Sequence, residues 1–162
     1  MLSTGYGRRF WRVALFILLA AMVHDPISGD ALAEEKIYVG SEACGDCHEA
    51  EYERYTDHSK KAHSYASVSV MRKGLTEAEY KQCLHCHATG YGQPGGFVSE
   101  VETPELRNLG CESCHGPGSD HIDSGDPDDI IGDLSVADCE RCHNSERVAN
   151  FKFKPLLFGG AH

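Results

Sequence analysis

Cys44-Gly45-Asp46-Cys47-His48 is the first of four copies of the pattern C-x-x-C-H, and all eight cysteines of the chain fall within these copies. The pattern is typical of covalent attachment of c-type haem. Two thiols one helical turn apart can bond to the two vinyl groups of one porphyrin, and the histidine that follows can bind the iron. The other copies are Cys83-Leu84-His85-Cys86-His87, Cys111-Glu112-Ser113-Cys114-His115 and Cys139-Glu140-Arg141-Cys142-His143.

The four motifs predict four covalently bound haem c groups. The expected thioether links are at Cys44, Cys47, Cys83, Cys86, Cys111, Cys114, Cys139 and Cys142, and the expected proximal iron ligands are His48, His87, His115 and His143. Three other interpretations compete. A disulfide framework gives no reason for a histidine after each cysteine pair. A zinc site does not require a histidine at the same position after each of four cysteine pairs. A thioredoxin-like site needs one motif near a βαβ pattern, and the sequence shows no such pattern.

Residues 1–33 have the features of a secretory signal peptide. Three arginines precede an apolar run from Val13 to Val23, and Ala31-Leu32-Ala33 provides an A-x-A cleavage sequence. The run is shorter than the roughly 20 residues that span a bilayer, so we expect no integral membrane anchor. We expect cleavage near Ala33 and a periplasmic or extracellular protein, because c-type haem is added outside the cytoplasm.

Residues 34–162 have the length of one domain but an unusual composition for a folded protein. Leu, Ile, Val and Phe make up about 17% of them. A fraction below roughly 20%, together with a high net charge, is typical of disordered chains. The conflict disappears if four porphyrins supply the apolar interior. We therefore expect the haems to form the core of this domain and the polypeptide to wrap around them.

The chain is acidic, with 15 Lys and Arg against 25 Asp and Glu and a net charge of −10. Haem propionates would add further negative charge. Nucleic acid and anionic membrane surfaces are poor partners for such a protein, so we expect neither. A redox protein with a basic docking patch is the better candidate, although a high charge also serves solubility alone.

Helix start signals precede most of the motifs and predict a mainly α fold with long loops and little or no β structure. The first predicted helix carries the first motif and continues to Tyr55, the second runs from Leu75 to His87, and the third is brief and ends at Gly110. The candidate starts are Ser41, Thr76 with Glu79, Thr103 with Pro104, and Ser135 with Asp138.

Two segments are predicted to be loops. Thr89 to Val101 contains four glycines and Pro94, so tight turns are expected, and its Tyr91 and Phe97 favour an ordered loop on porphyrin over a flexible linker. Asp123 to Asp133 is predicted to be a solvated acidic loop. A calcium site is the alternative there, although the strict spacing of a calcium loop is absent.

Histidines outside the proximal positions are candidates for the sixth iron ligand. His63 lies among small residues that let a haem approach, and His121 follows a Gly-Pro-Gly turn that reverses the chain just past the third motif. His162 ends an apolar arm that begins at Phe151; this arm is expected to pack along the protein's own haems or on a neighbouring subunit. His58, at a predicted helix end, and His85, inside the second motif, are secondary candidates.

These features resemble the tetrahaem cytochromes of the cytochrome c-554 type. The resemblance covers nearly all of residues 34–162 and is carried by the four motifs, Tyr38-Val39-Gly40-Ser41, Lys61-Ala62-His63, Gly90-Tyr91-Gly92 and the run from Cys111 to Ser119. It implies a small multihaem cytochrome c that passes electrons outside the cytoplasm through closely stacked haems. It also implies bis-histidine ligation of most haems, with the second haem lacking a protein sixth ligand.

Three functions remain open at this point, and no catalytic residue is predicted. An electron carrier is favoured, since bis-histidine iron has no open position for substrate. A small haem enzyme, such as a reductase of nitrogen oxides at one five-coordinate haem, is the alternative. Related tetrahaem proteins form extracellular filaments, so the chain could also be a filament subunit that associates through its C-terminal arm.

The composition predicts that the haem-free protein does not fold, because a group bound only by the native state supplies that state's stability. Circular dichroism of haem-free residues 34–162 should show a largely unfolded chain, while the haem-bound protein should be helical. A haem-free chain with the same spectrum as the haem-bound protein would contradict the prediction.

Overall fold

A computed structural model describes residues 35–144, and every structural statement below concerns that range. The chain divides into two units, Met1–Glu34 and Glu35–His162, and the described residues belong to the second. The predicted signal peptide, the C-terminal arm and His162 lie outside the described residues.

Short helices joined by loops and turns make up residues 35–144, and none of these residues lies in a β-strand. The α-helices are α1 (Ser41–Gly45), α2 (Glu49–His58), α3 (Ser64–Met71), α4 (Glu77–Leu84), α5 (Glu112–His115), α6 (Ser119–Ser124) and α7 (Val136–Glu140), and 3₁₀ turns cover Lys60–His63, Arg72–Gly74, Pro104–Leu106 and Pro127–Asp129. The mainly α prediction is confirmed. No helix in the described range is long and apolar enough to cross a membrane.

The first motif interrupts a helix that the sequence predicted to be continuous. α1 ends at Gly45, and His48, with φ −112° and ψ 50°, separates it from α2. The Cys44 carbonyl accepts hydrogen bonds from the N–H groups of both Cys47 and His48, at 3.3 and 2.9 Å. This tight turn ends α1 inside the motif, so the prediction of one helix as far as Tyr55 was wrong.

The predicted N-cap at Ser41 was also wrong. The N-cap of α1 is Gly40, whose φ of 86° is readily adopted only by glycine. Ser41 is the first residue of the helix, and its hydroxyl oxygen accepts a hydrogen bond from the N–H of Cys111, 3.0 Å away. A residue that looked like a local cap therefore makes a long-range contact.

The two other capping predictions are confirmed. The Glu79 carboxylate accepts a hydrogen bond from the N–H of Thr76 at 2.8 Å, and the Thr76 hydroxyl accepts one from the N–H of Glu79 at 3.3 Å. At the start of α7, the Asp138 carboxylate accepts hydrogen bonds from the N–H and the hydroxyl of Ser135. α4 ends at Leu84 rather than at the predicted His87, because the chain turns within the second motif.

The brief helix that begins at Pro104 ends at Leu106, before the predicted stop at Gly110. Gly110 instead allows a close approach, because a Cβ there would collide with the Ser41 hydroxyl. Its N–H donates to the Thr89 hydroxyl at 2.8 Å. The absence of a side chain at Gly110 thus lets the segment before the third motif lie against α1.

The apolar core of the described polypeptide is small. One cluster of buried residues is formed by Tyr65, Val68, Leu84, Ala88, Phe97 and Leu106. Phe97, which the sequence placed on porphyrin, is 3% exposed and lies edge-on to Tyr65 within this cluster. A core of this size is small for a chain of this length, in keeping with the low apolar content of the sequence.

The loop from Thr89 to Val101 consists of tight turns, as its glycines predicted. Gly90 and Gly95 have φ of 63° and 67°. A Cβ at Gly96 would collide with the backbone of Gly90, so the loop closes on itself only because both positions are glycine. The N–H of Phe97 donates to the Thr89 carbonyl at 2.9 Å and anchors the loop to the core.

In the acidic segment from Asp123 to Asp133, side chains cap the backbone. Asp126 accepts a hydrogen bond from the N–H of Asp128 at 2.9 Å, and the Ser124 hydroxyl donates to Asp129 at 2.6 Å. Within residues 35–144, no group of three or more His, Cys, Asp or Glu side chains is arranged to hold a metal ion directly.

Leu106 is 1% exposed in the core cluster, whereas Val101 in the neighbouring loop is 90% exposed. Leu106→Ala should therefore lower the free energy of unfolding of the haem-bound protein by about 2–5 kcal/mol, through lost burial and the cavity left behind. Val101→Ala should change it by less than about 0.5 kcal/mol. Denaturant unfolding followed by circular dichroism measures both, and equal losses in the two variants would contradict the assigned core.

Candidate haem-binding site

Each C-x-x-C-H motif is placed by a short helix. α1, α4 and α7 end inside the first, second and fourth motifs, and α5 spans most of the third. A helical turn brings two cysteines three residues apart to the same side of the chain, and the turn that follows determines where the histidine points. This local geometry fits a planar group held by two sulphurs and one imidazole.

The first and third motifs are in direct contact. The interaction between the thiols of Cys44 and Cys111 lowers the pKa of Cys111 to about 6 and raises that of Cys44. The backbone of Cys111 is joined to the hydroxyl of Ser41 at the start of α1. Two motifs far apart in sequence are thus side by side through both their side chains and their backbone.

Glu112 reinforces this contact, and sequence analysis gave it no role. Its side chain is buried, with 2% exposure. One carboxylate oxygen accepts hydrogen bonds from the N–H groups of Val39 and Gly118, at 2.9 and 2.8 Å, and the other accepts one from the N–H of Gly40 at 2.8 Å. The only sequence signal was an acidic residue just before a Gly-Pro-Gly turn, which is not specific.

The other motifs are also neighbours. Burial raises the pKa of Cys142 to about 12, and the adjacent thiol of Cys86 in the second motif adds to the effect. Burial likewise raises the pKa of Cys114, with Lys61 opposing the rise and Cys139 of the fourth motif adding to it. The thiols of the second and fourth motifs, and those of the third and fourth, are therefore near enough to affect each other's ionisation.

Two of the predicted proximal histidines have the hydrogen bonding expected of metal ligands. Nδ1 of His87 lies 2.9 Å from the carbonyl oxygen of Ser64, and Nδ1 of His115 lies 2.6 Å from that of Ile131. Because a carbonyl can only accept, each Nδ1 carries a proton, and in the neutral ring Nε2 is then the nitrogen that can bind a metal. Metal-binding histidines typically donate their second ring nitrogen in this way.

The fourth predicted proximal histidine, His143, has a lowered pKa. Burial is the main cause, and the positive charge of Lys61 adds to it. Both favour the neutral imidazole that a metal ion requires.

His121 is placed opposite the first proximal histidine. The rings of His121 and His48 lie 20° from parallel, with their centroids 6.2 Å apart. Nδ1 of His121 lies 2.8 Å from the Asp126 carbonyl oxygen, which leaves Nε2 for a metal.

The other described candidates differ from His121. Nε2 of His63 donates to the Thr56 carbonyl at 3.1 Å, so Nδ1 is the nitrogen with a free electron pair. The ring of His85 lies edge-on to Tyr91, with centroids 5.0 Å apart, and next to Gly92. His58 is exposed at the end of α2. The sixth-ligand roles of these histidines stay predictions.

The residues present fit covalently bound haem. All eight cysteines lie in the described range and are free thiols, so none is used in a disulfide. His87, His115 and His121 have their outer ring nitrogens bonded to carbonyl oxygens, and the small polypeptide core leaves apolar surface for a large flat group to cover. The chemistry of the donor set, with paired thiols and one imidazole in each motif, is that of c-type haem.

The chain matches a family of known cytochromes. Residues 43–116 match the family described as cytochrome c554 and c-prime. Cytochrome c-554 of Nitrosomonas europaea is 35% identical over 125 residues, which cover 67% of this chain and 52% of that relative. The chain thus spans about half the length of this curated relative.

The fold also matches a solved structure. The structure of reduced cytochrome c554 from Nitrosomonas europaea superposes with a TM-score of 0.58 and 23% identity, over 80% of this chain and 86% of that one. At this identity the likeness concerns the fold. The match of residues 43–116 and the 35% identity to the curated relative show that the chain belongs to the cytochrome c554 family of c-type cytochromes.

Proposed function

We propose that residues 34–162 bind four haem c groups and transfer electrons between redox proteins outside the cytoplasm. The observation that carries the proposal is the joining of the first and third motifs, where the Ser41 hydroxyl accepts from the N–H of Cys111 and the Glu112 carboxylate accepts from the N–H of Gly40. Porphyrins attached at neighbouring sulphurs have their edges close together. Closely stacked haems of this kind would let an electron cross the small protein in short steps.

The chain's own residues would position the iron and close its coordination. Bound haem iron supplies the change between ferric and ferrous states. The bonds from Nδ1 of His87 and His115 to carbonyl oxygens orient these rings with Nε2 towards the metal. His121, facing His48, would fill the sixth position of the first haem and leave no site for substrate there.

The charges around the first motif support a basic redox partner. Cys47 and His48 are exposed in the polypeptide, so a haem attached there would lie near the surface. Exposed acidic side chains flank it, at Glu42 on α1, at Asp46 in the turn after α1, and at Glu49, Glu51 and Glu53 on α2. A partner with a basic patch beside its own redox centre would be attracted to this surface.

The proposal is tested by the mass of the protein exported from a host that attaches c-type haem. The mass should equal the chain from about Glu34 plus four haem groups, and optical spectra should be low-spin for most of them. The double variant Cys83→Ser with Cys86→Ser should lose one haem and keep three. A wild-type mass without four added haems would exclude the proposal.

A small haem enzyme remains the second candidate, because only His121 among residues 35–144 is seen facing a proximal histidine ring. A ferric high-spin signal in the wild-type protein, with binding of carbon monoxide or nitric oxide, would favour that alternative. Uniformly low-spin spectra without such binding would favour the carrier.

His121→Ala tests the pairing with His48. We expect one haem to change from low spin to high spin and to bind carbon monoxide, because its sixth ligand is removed. Ile122→Ala is the matched control, since Ile122 is an exposed residue next to His121 on α6, and it should leave the spectrum unchanged. An unchanged spectrum in His121→Ala would show that another group fills this position.

A further inference from the structure

The buried carboxylate of Glu112 lies at the junction of the first and third motifs. It is within the third motif, between Cys111 and His115, and it accepts hydrogen bonds from the backbone just before α1, which carries the first motif. It also bonds the N–H of Gly118 in the turn after the third motif. One side chain therefore holds three separate segments together.

The hydrogen-bond donors around Glu112 are all backbone N–H groups. Both carboxylate oxygens accept hydrogen bonds, from Val39, Gly40 and Gly118. The carboxylate is therefore held in place by donors from two other segments of the chain.

None of the ion pairs seen within residues 35–144 includes Glu112; they involve Lys36, Arg72, Lys81 and Arg141. The donors to Glu112 are neutral amides, which disperse the charge but do not cancel it. Because the side chain is 2% exposed, water screens it poorly, and its field extends over neighbouring groups.

We infer that Glu112 is a positioning residue that fixes the first and third haem motifs as a pair and lowers the reduction potentials of the two haems attached there. This inference rests on the proposed function. A buried negative charge stabilises the ferric state, which carries one more positive charge than the ferrous state. Burial and local charge are among the features through which a protein sets haem potentials.

The test compares Glu112→Gln with Glu105→Gln in the haem-bound protein. Glutamine has nearly the same shape as glutamate but no charge. Glu105 is an exposed residue next to the same Gly40 backbone, so it is a matched control. Potentials are measured by spectroelectrochemical titration at constant ionic strength. Two of the four potentials should shift upwards in Glu112→Gln, and none should shift in Glu105→Gln.

Unchanged potentials in a Glu112→Gln protein with four haems would overturn the inference and leave the proposed function standing. A wild-type mass without four haems would instead exclude the proposed function. If Glu112→Gln fails to assemble with four haems, Glu112→Asp, which keeps the charge, must restore both the haem content and the wild-type potentials. Failure of that rescue would overturn the inference as well.

Discussion

The hydrogen bonds between the first and third motifs are the constraint on which the rest of this structure depends. The N–H of Cys111 donates to the hydroxyl of Ser41, and the carboxylate of Glu112 accepts from the backbone of Val39 and Gly40. These bonds join parts of the chain about 70 residues apart. A protein with few apolar side chains needs such directional contacts, because burial alone does not specify how its segments meet.

Hydrogen bonds from side chains to distant backbone groups also occur elsewhere in the fold. The hydroxyl of Ser64 accepts from the N–H of Leu109 and donates to the carbonyl of His87, and the Tyr55 hydroxyl donates to the carbonyl of Leu109. These polar ties bring the segment before the third motif against the helices around the second. Side chains thus bind backbone across the molecule, and the apolar cluster around Leu106 fills only one part of it.

Local sequence signals predicted the features that depend on near neighbours. Capping at Thr76 and Ser135 and the turns of the glycine-rich loop follow from rules that act over a few residues. Ser41, Gly110 and Glu112 were misread or missed because their partners lie in distant segments, and a single sequence does not show which segments meet. From the sequence, His121 was only one of several candidate ligands. Which candidate lies next to His48 depends on how the whole chain folds.

The contact between the thiols of Cys44 and Cys111 has a consequence for how the protein matures. In an oxidising compartment, two adjacent thiols are prone to form a disulfide, and the interaction with Cys44 lowers the pKa of Cys111, which favours the thiolate that reacts. A chain that docked these segments before the porphyrins were attached would risk cross-linking the wrong cysteines. Under the proposed function, thioether formation would have to precede docking, or a reductant would have to keep both thiols reduced until the porphyrins are attached.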